Sequence, residues 1–271
     1  MPRRLAGAGH RSPLIEFTTW NINSVRAREG LVSSFLERVQ PDFLLLQEIK
    51  CEAHQFPTMG FAALGYESAV VGQKAYNGVA VLHKRDVEVT ARMLPGTGEN
   101  ETAARYVEVK AAGLRLGNLY LPNGNSGGEA GYANKLRWMA ALRERALALL
   151  ADDEDFALVG DYNVCPTDFD YAKGAIGPED ALVRAPTRAA YRALINTGLT
   201  EALRALHPTE PLYTFWDYQA GAWDRNVGLR IDHALLSPCL AERLVEVKIH
   251  KDERAKLQPS DHVPVSFYLE S

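Results

Sequence analysis

Residues 155–164, DFALVGDYNV, set the pattern of the fold, because an apolar run ends here in a cluster of polar side chains. A short apolar run of this kind is typical of a strand that is buried in a sheet. The segment before it carries apolar residues at helical spacing: Leu136, Met139, Leu142, Ala146 and Leu149. A long helix that leads into a buried strand predicts an α/β protein.

The same alternation of strands and helices extends along the chain in both directions. Further strands are predicted within residues 14–23, 42–48, 76–84, 105–123 (a hairpin that turns near Gly113), 229–237 and 259–267. Helical spacing recurs at residues 31–39, before Pro41, and around residues 191–195, before Gly198. Since there is no fixed repeat and no low-complexity linker, we expect one domain over residues 14–271 and a flexible N-terminal extension over residues 1–13.

Composition narrows the class of protein. The 271 residues are 46% hydrophobic and 24% charged, close to a globular average, and no apolar run has the length of a membrane span. Three widely spaced cysteines, with no C-x-x-C pair, favour a reducing, cytoplasmic setting. The net charge of −4 is not that of a protein that holds nucleic acid by charge alone. A polyanionic partner would therefore require clustered positive charge or a metal ion.

Polar side chains recur where the predicted strands begin or end. They are Asn21, Asn23, Gln47, Glu48, Tyr120, Asn123, Asp161, Asn163, Asp232, Asp261 and His262. A carboxylate on an apolar strand is costly unless it is paired or binds a metal, and strand ends can converge on one edge of a sheet. Oxygen ligands with a single imidazole and no thiolate suit Mg²⁺ or Mn²⁺ better than structural zinc. The set therefore indicates metal-assisted phosphoester hydrolysis.

Asp261 and His262 are neighbours in the sequence, yet adjacent side chains of a regular strand point to opposite faces. Pro259 and Pro264 each restrict the residue before them, so we expect the chain to bend just ahead of the last strand. Such a bend would allow both side chains to reach one site.

Six motifs carry a resemblance to a known family. They are TWNINSVRAR (19–28), LLLQEIK (44–50), NLYLPNGN (118–125), GDYNV (160–164), NVGLRIDHALLS (226–237) and SDHVPV (260–265). In this order, the motifs resemble the exonuclease III family of abasic-site endonucleases, within the endonuclease/exonuclease/phosphatase superfamily. The resemblance covers the chain from about Leu14 to its end. It implies a four-layer α/β sandwich, in which helices flank two packed mixed β-sheets and the site lies at one edge of the sheets.

The resemblance also implies roles for the polar residues. Metal ligands would be Glu48 first, with Asn21 and Asp261, in a set that also includes Asp161, Asn163 and His262. The catalytic set would be Tyr120, Asp161, Asn163, Asp232 and His262. Asp161 would orient or deprotonate the attacking water, and His262, polarised by Asp232, would contact the phosphate. The identity of the base, and the choice between one metal ion and two, stay open.

Other positions are implied to contact DNA. Those that would touch phosphates are Arg26, Tyr76, Arg105, Asn123 and Lys135. An apolar pocket for a sugar without its base would consist of Phe215, Leu229 and Ile231, and Trp216 or Trp223 would wedge or stack against the duplex. Leu229 replaces an aromatic residue found in some relatives.

The predicted function is that of a Mg²⁺-dependent DNA-repair nuclease, with Mn²⁺ as a substitute metal. It would cut 5′ to abasic sites, degrade duplex DNA from 3′ ends and remove 3′ blocking groups, as a monomer in the bacterial cytoplasm with no membrane partner. Two alternatives remain: a phosphatase or phosphodiesterase of the same superfamily that acts on a small or lipid phosphoester, and a catalytically inactive DNA-binding protein on the same fold.

Overall fold

The computed structural model describes residues 14–98, 101–111 and 113–271, so the predicted extension at residues 1–13 lies outside the described residues. The described strands are β1 (Leu14–Asn21), β2 (Phe43–Gln47), β3 (Glu67–Val71), β4 (Val79–His83), β5 (Glu88–Ala91), β6 (Tyr106–Ala111), β7 (Leu114–Tyr120), β8 (Phe156–Asp161), β9 (Thr200–Glu201), β10 (Asp232–Leu236), β11 (Leu244–Ile249) and β12 (Val265–Glu270). The described helices are α1 (Glu29–Val39), α2 (Thr58–Ala62), α3 (Gly128–Ala151), α4 (Ala185–Ile195), α5 (Ala202–Leu206) and α6 (Pro238–Glu242). Across this part of the chain, no helix combines the length and apolarity of a membrane span.

The strands form two six-stranded mixed sheets. The first has the order β11-β12-β1-β2-β4-β3, and the second has the order β5-β6-β7-β8-β10-β9. Each sheet contains one parallel pair at its centre, β1 with β2 and β7 with β8. The two orders correspond strand for strand, so each half contributes a similar central parallel pair to the site.

Alternating side chains sort the sheets and helices into four layers. Along β2, Phe43 and Leu45 belong to a core cluster that contains residues of both sheets, whereas Leu44 and Leu46 pack with residues of α1. Along β8, Val159 enters the core between the sheets, and Phe156 and Leu158 pack with residues of α3 and α4. The prediction of a four-layer α/β sandwich is therefore confirmed.

The pairing register places the polar strand ends side by side. In the first sheet Asn21 lies opposite Gln47, and in the second sheet Asp161 lies opposite both Tyr120 and Asp232. Because residues that are paired in register lie at the same level of a sheet, the polar tips gather at one edge. The last strand starts only at Val265, after the bend expected from the two prolines.

A buried polar contact fixes the two sheets relative to each other beneath this edge. Gln47 Nε2 donates to Asn118 Oδ1 across the sheet interface (2.7 Å), and Asn118 Nδ2 donates in turn to the carbonyl oxygens of Leu46 (3.0 Å) and Ala80 (2.9 Å). Gln47 and Asn118 are both fully buried. Sliding one sheet against the other would leave these amides without partners, at a cost of about 1–3 kcal/mol for each buried group.

Candidate active site

A cleft of about 500 Å³ opens at the edge of the sheets where the polar strand ends meet. Its lining combines polar residues of both sheets with an apolar wall. The polar lining residues include Glu48, Tyr120, Asn123, Asp161, Asn163, Asp261 and His262. Side chains that are far apart in sequence are therefore neighbours here.

Glu48 follows β2 directly and has a left-handed backbone, with φ of 49°. Such a conformation is uncommon for a residue other than glycine and costs roughly 1–2 kcal/mol. Its Oε1 accepts from Asn21 Nδ2 (2.9 Å), and its Oε2 lies 3.0 Å from Lys50 Nζ. Burial opposes ionisation, but the Asn21 hydrogen bond and the Lys50 charge outweigh it and hold the pKa of Glu48 below its ordinary value.

Lys50 and Asn23 connect Glu48 with Asp261. Lys50 Nζ donates to Asn23 Oδ1 (2.6 Å), and Asn23 Nδ2 donates to Asp261 Oδ1 (3.2 Å). Glu48 and Asp261 thus belong to one network of hydrogen bonds. Sequence reasoning missed Lys50, although its position two residues after Glu48 in LLLQEIK was a usable signal.

Asp161 lies at the end of β8 and is almost fully buried. Its Oδ2 accepts from Asn21 Nδ2 and its Oδ1 accepts from the backbone N–H of Asn163, both at 2.9 Å. Burial raises the pKa of Asp161, His262 opposes that rise, and the negative charge of Asp232 adds to it. A carboxylate with a raised pKa is a stronger base than an exposed aspartate.

Asp232 and His262 form a buried hydrogen-bonded pair. His262 Nδ1 lies 2.8 Å from Asp232 Oδ2, which also accepts from Thr214 Oγ1 (2.6 Å), while His262 Nε2 lies 3.7 Å from Asp161 Oδ2. Burial disfavours the imidazolium, but the charges of Asp232 and Asp161 outweigh burial and raise the pKa of His262 to about 10. The raised pKa favours the imidazolium form of His262, which suits contact with a phosphate.

The donor chemistry of this edge fits a hard divalent cation. Glu48 and Asp261 offer carboxylate oxygens, and the buried Asp232 Oδ1 has no hydrogen-bond partner among the described residues. Among the described residues, Asp161, Asp232 and His262 each offer one possible ligand atom, and these atoms lie within 4.8 Å of one another. Glu48 and Asp261, which one hydrogen-bond network connects, could also hold such an ion.

Tyr120 lines the cleft, and Arg105 packs against the Tyr120 ring. The Arg105 guanidinium lies 4.7 Å from the centroid of the Tyr120 ring, and Arg105 Nη1 donates to the Tyr120 carbonyl oxygen (3.2 Å). Burial, and then the charges of Glu48 and Asp161, raise the pKa of Tyr120. The phenol is therefore neutral and can donate a hydrogen bond.

The apolar wall contains the three residues predicted for a sugar pocket. Leu229 and Ile231 are buried, and the ring of Phe215 meets the His262 ring edge-on at 5.0 Å. Sequence reasoning missed the other side of this wall, which includes Ala175, Ile176 and Leu182. Those residues lie outside regular strands and long helices, so no periodic pattern marked them.

Two predicted DNA contacts are corrected by burial. Trp216 is 1% exposed, and its Nε1 donates to Asn226 Oδ1 (3.2 Å), so its ring is not available to stack on a duplex. Lys135 has no exposed surface, and burial lowers its pKa to about 7. Lys135 therefore does not touch DNA phosphates in this arrangement. Arg26 and Tyr76 are exposed, as a DNA contact requires, and Trp223, Arg105 and Asn123 are half-buried.

A buried ion cluster supports the segment that carries Leu229, Ile231 and Asp232. Arg230 Nε lies 2.8 Å from Asp170 Oδ1, and Arg230 Nη1 lies 3.1 Å from Glu201 Oε1. Removing one partner from such a buried cluster typically costs about 3–5 kcal/mol. The cluster thus anchors the apolar wall to β9 at the edge of the second sheet.

Comparison with known proteins gives consistent matches over nearly the whole chain. The model of the endonuclease/exonuclease/phosphatase family matches residues 18–262. Exodeoxyribonuclease III from Haemophilus influenzae is 35% identical over 267 residues, which are 93% of this chain and 98% of that protein.

Solved structures agree with the sequence matches. An AP endonuclease from Archaeoglobus fulgidus superposes with a TM-score of 0.88 at 32% identity, over 95% of this chain and 100% of that one. A 3′ phosphatase from Neisseria, bound to a product DNA hairpin, gives the same TM-score, identity and coverage. The matched range begins at Thr18 and ends at His262, so it spans every residue that lines the polar end of the cleft.

Proposed function

The chain belongs to the endonuclease/exonuclease/phosphatase family, and from that premise we propose that it is a divalent-metal-dependent DNA-repair nuclease of the exonuclease III type. The observation that carries this proposal is one cleft in which Glu48, Asp161 and His262, which is hydrogen-bonded to Asp232, lie beside an apolar wall. The carboxylates and His262 suit phosphodiester hydrolysis, and the apolar wall suits a deoxyribose that has lost its base.

The residues divide the chemistry among them. Glu48 and Asp261, with Asn21, would hold Mg²⁺, for which Mn²⁺ can substitute. When bound, the ion supplies charge that polarises a phosphate oxygen and offsets the negative charge formed during hydrolysis. Asp161 would orient the attacking water or take its proton, and Asn163 would hold the water or the phosphate. Cationic His262 stabilises the growing charge on the phosphate, and neutral Tyr120 donates to the phosphate or to the leaving oxygen.

We propose abasic DNA as the substrate class for a physical reason. The wall of Phe215, Leu229 and Ile231 offers no hydrogen-bonding side chain that could read a base edge, whereas it can bury the apolar face of a sugar. Arg26, Tyr76, Arg105 and Asn123 would hold backbone phosphates, which positions a duplex without reading its sequence. The three activities proposed are cutting 5′ to the abasic site, 3′-to-5′ degradation and removal of 3′ blocking groups.

We further propose that residues 14–271 act as one domain and that the protein works as a monomer. The proposed catalytic residues that line one cleft of this chain support that proposal. A DNA substrate would place the enzyme in the cytoplasm of a bacterial cell, with the chromosome.

An end-labelled duplex with a single abasic site tests this proposal. With Mg²⁺ we expect one cut 5′ to the lesion, and with chelator we expect none, because His262 and Tyr120 do not replace the charge that the ion supplies. A matched duplex that carries a normal nucleotide is the control, and 3′-phosphate and recessed 3′ ends measure the other two activities. No cutting of any DNA with metal present, together with turnover of a phosphoinositide, would contradict the proposal.

A further inference from the structure

Lys135 is a lysine without exposed surface, placed near the start of the long helix α3. Its Nζ donates to the carbonyl oxygen of Asn123 (2.9 Å) and to that of Asn163 (2.6 Å). These carbonyls belong to two separate loops, the one that follows β7 and the one that follows β8. Burying an ammonium group costs several kcal/mol unless it is well hydrogen-bonded, so the two carbonyls are what make this burial tolerable.

The loops joined by Lys135 also meet through their own side chains. Asn123 Nδ2 donates to Asn163 Oδ1 (3.0 Å), and Asn163 Nδ2 donates to the Leu121 carbonyl oxygen (2.9 Å). The backbone N–H of Asn163 holds Asp161 Oδ1. A shift of either loop would therefore turn Asn163 and Asp161 together.

The methylene stem of Lys135 packs against the loop that follows β7. Gly124 has φ of +90°, and a Cβ added there would lie only 2.6 Å from Lys135 Cδ. The stem thus occupies the inside of the loop, where only glycine leaves room for it. Both ends of the side chain, stem and ammonium, are used in holding the loops.

We propose that Lys135 is a positioning residue for the hydrolytic reaction, which sets the loops after β7 and β8 so that Asn163 and Asp161 face the phosphate. It makes no contact with DNA and acts through the backbone of Asn123 and Asn163. This inference rests on the proposed nuclease function and adds to it a residue whose task is to maintain the geometry of the site.

Steady-state cleavage of the abasic duplex by Lys135→Met tests the inference. Methionine keeps the buried volume but donates no hydrogen bond, so we expect kcat to fall by about 10- to 100-fold, with KM and its salt dependence nearly unchanged. Arg137→Met, at an exposed position of the same helix, is the matched control. If Lys135→Met does not fold, Lys135→Gln can still donate to a carbonyl and should give an intermediate kcat.

Three readings of Lys135 give different results. A KM that rises and becomes less salt-dependent, with kcat intact, would mean a DNA contact and would overturn the inference. A lower melting temperature with unchanged kcat would mean a purely structural role and would overturn it too. A positioning role also predicts that the effects of Lys135→Met and Asn123→Ala on kcat are less than additive. Wild type is run in parallel. If wild type does not cut the abasic duplex, the proposed function itself is contradicted. If wild type cuts and Lys135→Met cuts equally fast, only the inference about Lys135 is contradicted.

Discussion

Glu48→Gln is expected to lower kcat on an abasic duplex by at least about 100-fold, and to weaken divalent-metal binding at the same time. The pKa of the Glu48 carboxyl is held below its ordinary value beside Lys50, so Glu48 remains ionised under ordinary assay conditions. Glutamine has the same size but no charge. A neutral amide would leave Lys50 without its ion pair and the metal without its main ligand.

Calorimetric titration with Mn²⁺, together with single-turnover cleavage, measures both effects. Glu37→Gln, at an exposed position of α1, is the matched control and should behave as wild type. A Glu48→Gln protein that folds, binds Mn²⁺ as tightly as wild type and cuts at the same rate would show that Glu48 is not a metal ligand.

His262→Asn is expected to lower kcat by about 100- to 1000-fold, the usual consequence of losing one group that stabilises negative charge in the transition state. Asparagine can still donate to Asp232 but carries no positive charge toward the phosphate. Because we assign His262 to the phosphate and not to the metal, Mn²⁺ affinity should stay within about twofold of wild type. This combination distinguishes His262→Asn from Glu48→Gln.

The same titration and cleavage assays serve for His262→Asn. His54→Asn, at an exposed position, is the control. Loss of Mn²⁺ binding in His262→Asn would assign the imidazole to the metal instead, and an unchanged kcat would remove it from the reaction.

Much of the polar site could be predicted because its residues end apolar strands. Asn21, Glu48, Asp161 and Asp232 each lie at or just beyond a strand end, and strand pairing in register brings such ends to one edge. The two prolines around Asp261 likewise predicted the bend that lets His262 join the same edge. Local pattern and tertiary structure agree at these positions.

The burial of Lys135 could have been predicted from its position along α3. Its spacing of four and seven residues from Met139 and Leu142 places it on the buried stripe of α3, where a polar residue requires a partner. The resemblance to DNA-contacting positions took precedence over that periodicity. Residue spacing was therefore the better guide to burial than residue type.

Other features depend on contacts that are not local in the sequence. Trp216 is covered by Trp223, which packs edge-on against it at 5.0 Å, and nothing in YTFWDY distinguishes it from the half-buried Phe215. Strand β9 is only two residues long and exists through its pairing with β10. Elements of this kind are determined by tertiary packing and not by their own periodicity.

The central proposal is that Glu48 and Asp261, at strand ends of the first sheet, hold a divalent ion, while Asp161 and Asp232 of the second sheet act on the attacking water and on His262. Anomalous diffraction from crystals soaked in Mn²⁺ tests it most directly. We expect a peak at about 2.0–2.3 Å from a Glu48 carboxylate oxygen, on the side of the cleft that faces Asp261. A peak held only by Asp161, Asp232 and His262, with none at Glu48, would contradict the account.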